Sequence, residues 1–172
     1  MKKVASAIVF LIIGFILQTT VFPAISFGGI IPNIMVILAA VYGFMYGDKA
    51  GLLVGFFGGL LCDVFFGSFI GLNAVIYMYI GYLNGKFARF FFEEDLKMPL
   101  ILIAVSDLLY SFAYYSIMFL LRGRFDIPYY FGKIMVPELI YTLVASLVLY
   151  PLLLAVFRDV NTPKNGGDIT FV

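Results

Sequence analysis

The chain has 172 residues, of which 63% are hydrophobic and only 12% are charged, and its mean hydropathy is +1.08. These values exceed those of soluble domains and predict an all-α, polytopic integral membrane protein. A net charge of +1 argues against nucleic-acid binding, which needs a basic face. The single Cys62 excludes an intramolecular disulfide and a multi-cysteine metal site, and histidine is absent, so we expect neither a metal nor a cofactor.

Six apolar segments follow one another along the chain, separated by proline, glycine and charged residues. They lie at about 4–22, 32–46, 50–66, 69–85, 98–121 and 132–157. The first follows Lys2 and Lys3 as a signal peptide would, but no small-x-small cleavage site follows it, so we interpret it as a transmembrane helix.

The second segment is short for a membrane span. Its length of about 22 Å is less than the roughly 30 Å hydrocarbon core, so it must recruit residues 22–31, thin the bilayer or be re-entrant. We predict six full crossings in one bundle over residues 1–157, followed by a flexible cytoplasmic tail at 158–172 that is too polar to order itself.

The basic residues indicate the orientation of this bundle. With a cytoplasmic N-terminus, eight of the eleven lysines and arginines face the inner side, in agreement with the positive-inside rule. The inner set is Lys2, Lys3, Lys49, Lys86, Arg89, Lys97, Arg158 and Lys164, and the outer set is Arg122, Arg124 and Lys133. Both termini and the loop 86–97 are therefore predicted to be cytoplasmic. The aromatic residues of that loop suit either the headgroup boundary or a cytosolic partner.

Five glycines recur at a spacing of four residues, from Gly43 to Gly59. Asp48 and Lys49 interrupt them with a loop, so only the last three share a helix. Glycines at this spacing let a second backbone approach closely within a membrane. The predicted helix-packing positions are Gly51, Gly55, Gly59, Gly81 and Gly85.

Three carboxylates lie within apolar segments, where a charge is costly and normally faces protein or water. The predicted topology places Asp63, Asn73 and Glu138 at a similar outer depth, and we predict that they form an inward polar cluster. The outer basic residues at 122, 124 and 133 could reach and neutralise it. Two alternatives stay open: a cavity that binds a small solute, or interhelical hydrogen bonds that fix the bundle. Asp107, near mid-depth, has no evident partner in the sequence.

Enzymatic chemistry has little support in the sequence. The residues before Asp63 are Gly59-Leu60-Leu61-Cys62, which do not match the Gly-x-Gly-Asp motif of intramembrane aspartyl proteases. A serine nucleophile would lack histidine, and no phosphate-binding Gly-x4-Gly-Lys-Ser/Thr loop is present. We predict that the protein is not an enzyme.

Several of these residues together resemble the bacterial MreD family of rod shape-determining proteins. The resemblance rests on the order and spacing of short motifs between about 32 and 85 and on a proline in the last helix, here Pro151. The family motif positions are Pro32, Asn33, Asp63, Gly71, Leu72 and Asn73.

This resemblance implies a non-enzymatic scaffold of the cell-elongation machinery, in the inner membrane and in contact with its lipid. The implied partners are an MreC-like single-span protein, an MreB-like filament, a RodA-type glycosyltransferase and a penicillin-binding transpeptidase. Their helices are expected to dock on small-residue faces. The resemblance also implies the fold of the S components of energy-coupling-factor transporters. The alternative function is therefore a vitamin-binding S component, although the Ala-x-x-x-Ala motif of many S components is missing from the first segment.

Overall fold

The computed structural model describes residues 2–26, 29–67, 69–90, 97–120 and 127–161, and helices dominate these ranges. The helices are α1 (Lys2–Ile16), α2 (Phe22–Ala24), α3 (Ile34–Tyr46), α4 (Asp48–Phe66), α5 (Leu72–Phe87), α6 (Lys97–Leu120), α7 (Ile127–Tyr130) and α8 (Val136–Asn161). A 3₁₀ turn at Ala88–Phe90 extends α5. The predicted all-α class is confirmed.

Two π-helical turns join short helices to long ones, at Leu17–Val21 and at Phe131–Met135. Each turn ends two residues before a proline, Pro23 or Pro137. Proline lacks an N–H and its ring clashes with the carbonyl four residues earlier, and a turn widened by one residue relieves that clash. The chain therefore stays helical from Lys2 to Ala24 and from Ile127 to Asn161.

The predicted segment boundaries agree with these helices to within a few residues. The largest differences are in the last segment, where the helical stretch begins at Ile127 instead of 132 and continues to Asn161 instead of 157. Among the described residues, four helices are long and apolar enough to cross a membrane: Val4–Ala24, Asp48–Phe66, Lys97–Met118 and Pro128–Val156. Helices α3 and α5 are shorter, with 13 and 16 residues.

Helix α3 lies at the centre of the bundle, and eleven of its thirteen residues are buried. Helices α1, α4, α5, α6 and α8 all contact it. The short second segment is thus surrounded by protein, so its length does not have to match the hydrocarbon thickness as that of a lipid-exposed helix does.

Helices α3, α4 and α5 make the most extensive contacts in the structure. A single residue, Gly47, separates α3 from α4, and its φ of 90° favours glycine. Helix α1 packs at the periphery. Two contacts show that it runs parallel to α4: Leu11 approaches Gly58, and further along both helices Phe15 contacts Phe65, with ring centroids 5.3 Å apart.

Candidate functional site: the polar interior and the helix interfaces

Three glycines of α4, Gly51, Gly55 and Gly59, lie directly against the backbone of α5. A Cβ atom added at Gly55 would fall on the Tyr77 carbonyl oxygen, and one at Gly59 would lie 2.5 Å from the Ala74 Cα. Gly51 and Gly81 face each other so closely that a Cβ on either would overlap the other's backbone. All five predicted packing glycines, including Gly85 against Asp48, are at this interface.

The close fit overturns one expectation about partners. Since α5 already occupies the glycine face of α4, no partner helix can dock there while the bundle is intact. The prediction that partner helices dock through these small-residue positions is therefore wrong.

Asp63 caps the N-terminus of α5. Its Oδ2 accepts hydrogen bonds from the N–H groups of Gly71 and Ala74, both at 3.0 Å, and its Oδ1 accepts the Asn73 N–H at 3.1 Å. The Asn73 side-chain amide adds a fourth donor at 2.9 Å. A carboxylate at this position satisfies N–H groups that have no partner within the helix and complements the helix dipole. Asp63 is only 1% exposed, and its charge is met by four donors.

Hydrogen bonds and one contact between tyrosine rings connect this cap to two further helices. The Asn73 Oδ1 accepts the Tyr110 hydroxyl of α6 at 3.1 Å. The Tyr110 ring lies 5.0 Å from the Tyr77 ring, and the Tyr77 hydroxyl donates to the Asn33 Oδ1 at 3.0 Å. Asn33 caps α3 by accepting the Val36 N–H. We call Asp63, Asn73, Tyr110, Tyr77 and Asn33 the capping network.

Three of the predicted family motif positions, Asn33, Asp63 and Asn73, belong to this network. Asn33 caps α3, and Gly71 is the residue before α5, with a φ of 100° that favours glycine. That conformation turns the chain so that the first N–H groups of α5 point at Asp63.

Glu138 was predicted to form a polar cluster with Asp63 and Asn73. Its Oε2 accepts a hydrogen bond from the Ser111 hydroxyl of α6 at 3.3 Å. No hydrogen bond in the described residues joins Glu138 to Asp63 or Asn73. The Lys133 side chain is exposed, with its ammonium 5.9 Å from the centre of the Tyr129 ring, and Arg122 and Arg124 lie outside the described residues.

Several partners in the interior were missed by reasoning from sequence. Tyr77 and Tyr110 were not among the predicted polar residues, and neither was Gln18, whose Oε1 accepts the Met35 N–H at 3.1 Å. Thr142 was also missed, although it is fully buried and accepts the Asn33 N–H at 3.1 Å. The sequence did carry a signal for these partners, because each apolar segment contains at least one polar side chain.

An apolar cavity of about 790 Å³ lies between α1, α3 and α4. Leu11, Leu53, Phe57 and Lys49 are among its lining residues. Its lining offers few polar groups to orient a polar solute.

A helical bundle with apolar outer faces, long apolar helices and capped helix ends inside defines a polytopic membrane protein. A comparison with models of protein families matches residues 2–160 to the rod shape-determining protein MreD. The chain belongs to the MreD family, and it is a rod shape-determining membrane protein. No curated protein and no solved structure matches it.

Proposed function

We propose that this protein is a non-enzymatic scaffold subunit of the bacterial cell-elongation machinery, required for rod shape and lateral peptidoglycan synthesis. The observation that carries this proposal is the family match over residues 2–160. The implied partners are an MreC-like single-span protein and an MreB-like filament, together with a RodA-type glycosyltransferase and a penicillin-binding transpeptidase.

The interior of the bundle supports a structural role. Asp63, the acid that could have marked a reactive site, accepts four hydrogen bonds and joins α4 to α5. Asn84 likewise joins α5 to α6 through a 2.7 Å hydrogen bond to Ser106. Groups held in this way fix the positions of helices, which is what a scaffold needs.

The exposed apolar faces are where partner helices would compete with lipid. On α8, Ile140, Val144 and Val148 are more than half exposed, and they follow the four-residue spacing of one helix face. On α1, Ile8 and Ile12 are about half exposed. We infer that partner helices dock on exposed apolar faces and not on the glycine interface.

Depletion of the protein in a rod-shaped host tests the proposal. We expect the cells to become round and labelled cell-wall precursor to be incorporated without its side-wall pattern, while vitamin uptake is unchanged. Rod-shaped cells that lose uptake of one vitamin, with an ATP-driven transport module co-purifying, would overturn the scaffold proposal in favour of an S component.

Photocrosslinking would map the docking face. A photoreactive amino acid at Val144 or Ile8 should capture an elongation partner, whereas the same amino acid at the buried Leu153 should capture none. Equal yields from all three positions would contradict specific docking on these faces.

A further inference from the structure

Four oxygen-bearing side chains face one another between α6 and α8. Asp107 and Ser111 are four residues apart on α6, and Glu138 and Thr142 are four residues apart on α8, so each pair lies on one helix face. Ser111 donates to Glu138 at 3.3 Å, and Thr142 lies beside Asp107 although outside ordinary hydrogen-bond geometry. We call these four residues the quartet.

The two acids of the quartet lie on α6 and α8, and neither has a basic partner among the described residues. Within the described part of the chain, the only salt bridge joins Arg89 to Asp48. A pair of carboxylates inside a membrane bundle without a countercharge is costly, and buried charges are normally paired or bound to metal ions.

Asp107 is the least satisfied group in the quartet. Its side chain is fully buried, and neither carboxylate oxygen accepts a hydrogen bond. Asp63 is buried to a similar degree, but each of its two carboxylate oxygens accepts two hydrogen bonds. The contrast leaves the Asp107 carboxylate oxygens available to a further ligand.

We propose that the quartet binds one hard metal cation between α6 and α8, with oxygen ligands from Asp107, Ser111, Glu138 and Thr142. Carboxylate and hydroxyl oxygens are the donors that Na⁺, Mg²⁺ and Ca²⁺ share as a preference. A cation there would neutralise the two carboxylates and connect the two helices.

Thr142 is held in place for such a role. The Asn33 N–H occupies one lone pair of its hydroxyl oxygen at 3.1 Å, which leaves a second lone pair for a cation. Since Asn33 also caps α3, the capping network orients one wall of the quartet.

Thermal unfolding of the purified full-length protein in detergent tests the proposal. The probes are NaCl, KCl, MgCl2 and CaCl2, each compared with choline chloride at equal ionic strength. We expect at least one metal cation to raise the Tm in a saturable way, because a ligand that binds only the folded state stabilises it. Asp107→Asn and Glu138→Gln should raise the half-saturating concentration by about tenfold or more.

Two further variants separate coordination from packing. Thr142→Val, which keeps the shape and removes the hydroxyl, should weaken the cation effect, and Thr142→Ser should restore it. Ser146→Ala is the matched control, because Ser146 is fully buried on α8 but bonds to the Leu143 carbonyl of its own helix.

A Tm that depends only on ionic strength would overturn the proposal, as would a cation effect that is unchanged in Asp107→Asn. If arginine neutralised the acids instead, Arg124→Gln or Arg122→Gln would lower the Tm and metal cations would have no specific effect. None of these outcomes bears on the scaffold role, which the shape of depleted cells tests separately.

Discussion

Asp63 shows how a charged residue is accommodated in an apolar bundle through the backbone of another helix. Its two oxygens each accept two hydrogen bonds, and the donors come from the first turn of α5 and the residue before it. The residue thus acts as an N-terminal cap supplied by a neighbouring helix.

Asp63→Asn should destabilise the bundle. The amide group would present N–H donors where two other donors converge, and each unsatisfied buried group costs about 1–3 kcal/mol. We expect a clear fall in the Tm of the purified protein.

Asp48→Asn is the control for the loss of one carboxylate charge. Asp48 pairs with Arg89 at 3.2 Å near the surface, where such pairs contribute about 0–1 kcal/mol. Equal Tm values for the two variants would contradict the capping role of Asp63.

The sequence identified Asp63 and Asn73 as polar residues of similar depth, and the structure places them in contact. Depth alone does not specify the direction in which a side chain points around its helix. Glu138, assigned to the same depth, has its described hydrogen bond with Ser111 on α6, and its place in the cluster stays a prediction. The backbone donors to Asp63 depend on the turn at Gly71, whose φ of 100° no sequence pattern specifies.

At the scale of helices, the backbones of α4 and α5 are in direct contact at their glycines. Gly55→Ala should lower the Tm, because the new methyl group would overlap the Tyr77 carbonyl and neither helix can shift without disturbing the remaining glycine contacts. Overpacking of this kind costs about 1–3 kcal/mol. The same reasoning predicts a larger loss for Gly55→Leu.

Gly58 offers a control on the same helix. A Cβ there would meet the ends of two flexible side chains, Leu11 at 3.1 Å and Met35 at 3.2 Å. Gly58→Ala should therefore cost less than Gly55→Ala. Thermal unfolding of both variants in one detergent measures the difference, and equal losses would show that α4 tolerates side chains equally on both faces.

The four-residue spacing was sufficient to predict which glycines lie in an interface. It was not sufficient to predict the partner, since glycines that meet an internal helix and glycines that meet a separate protein follow the same pattern. The assignment to α5 depends on Gly81 and Gly85 matching the register of Gly51 and Asp48, which only the folded chain shows.

For the whole molecule, we expect both termini and the inner end of α5 to face the cytoplasm, because eight of the eleven basic residues then lie on that side. Ile70 and Phe90 flank α5 at its two ends and are 80% and 77% exposed. Single cysteines at these positions, on a Cys62→Ser background, should differ in labelling by a membrane-impermeant maleimide. In intact cells with a permeable outer layer, position 70 should react and position 90 should not.

Labelling of both positions after lysis is the control for reactivity. Reaction at position 90 but not at 70 would show the opposite orientation to the one predicted. Reaction at both positions in intact cells would contradict a membrane-crossing α5.

The contacts around α3 also bear on the order in which the protein assembles. Helices α3, α4 and α5 are consecutive in the chain and share the most extensive interfaces, and Gly47 alone links the first two. Contacts between neighbours in sequence form with little loop-closure entropy, so this trio can pack while the ribosome is still making α6 and α8. A nascent chain that ends after α5 would then already hold its glycine interface, and α6 and α8 would be added to a formed template.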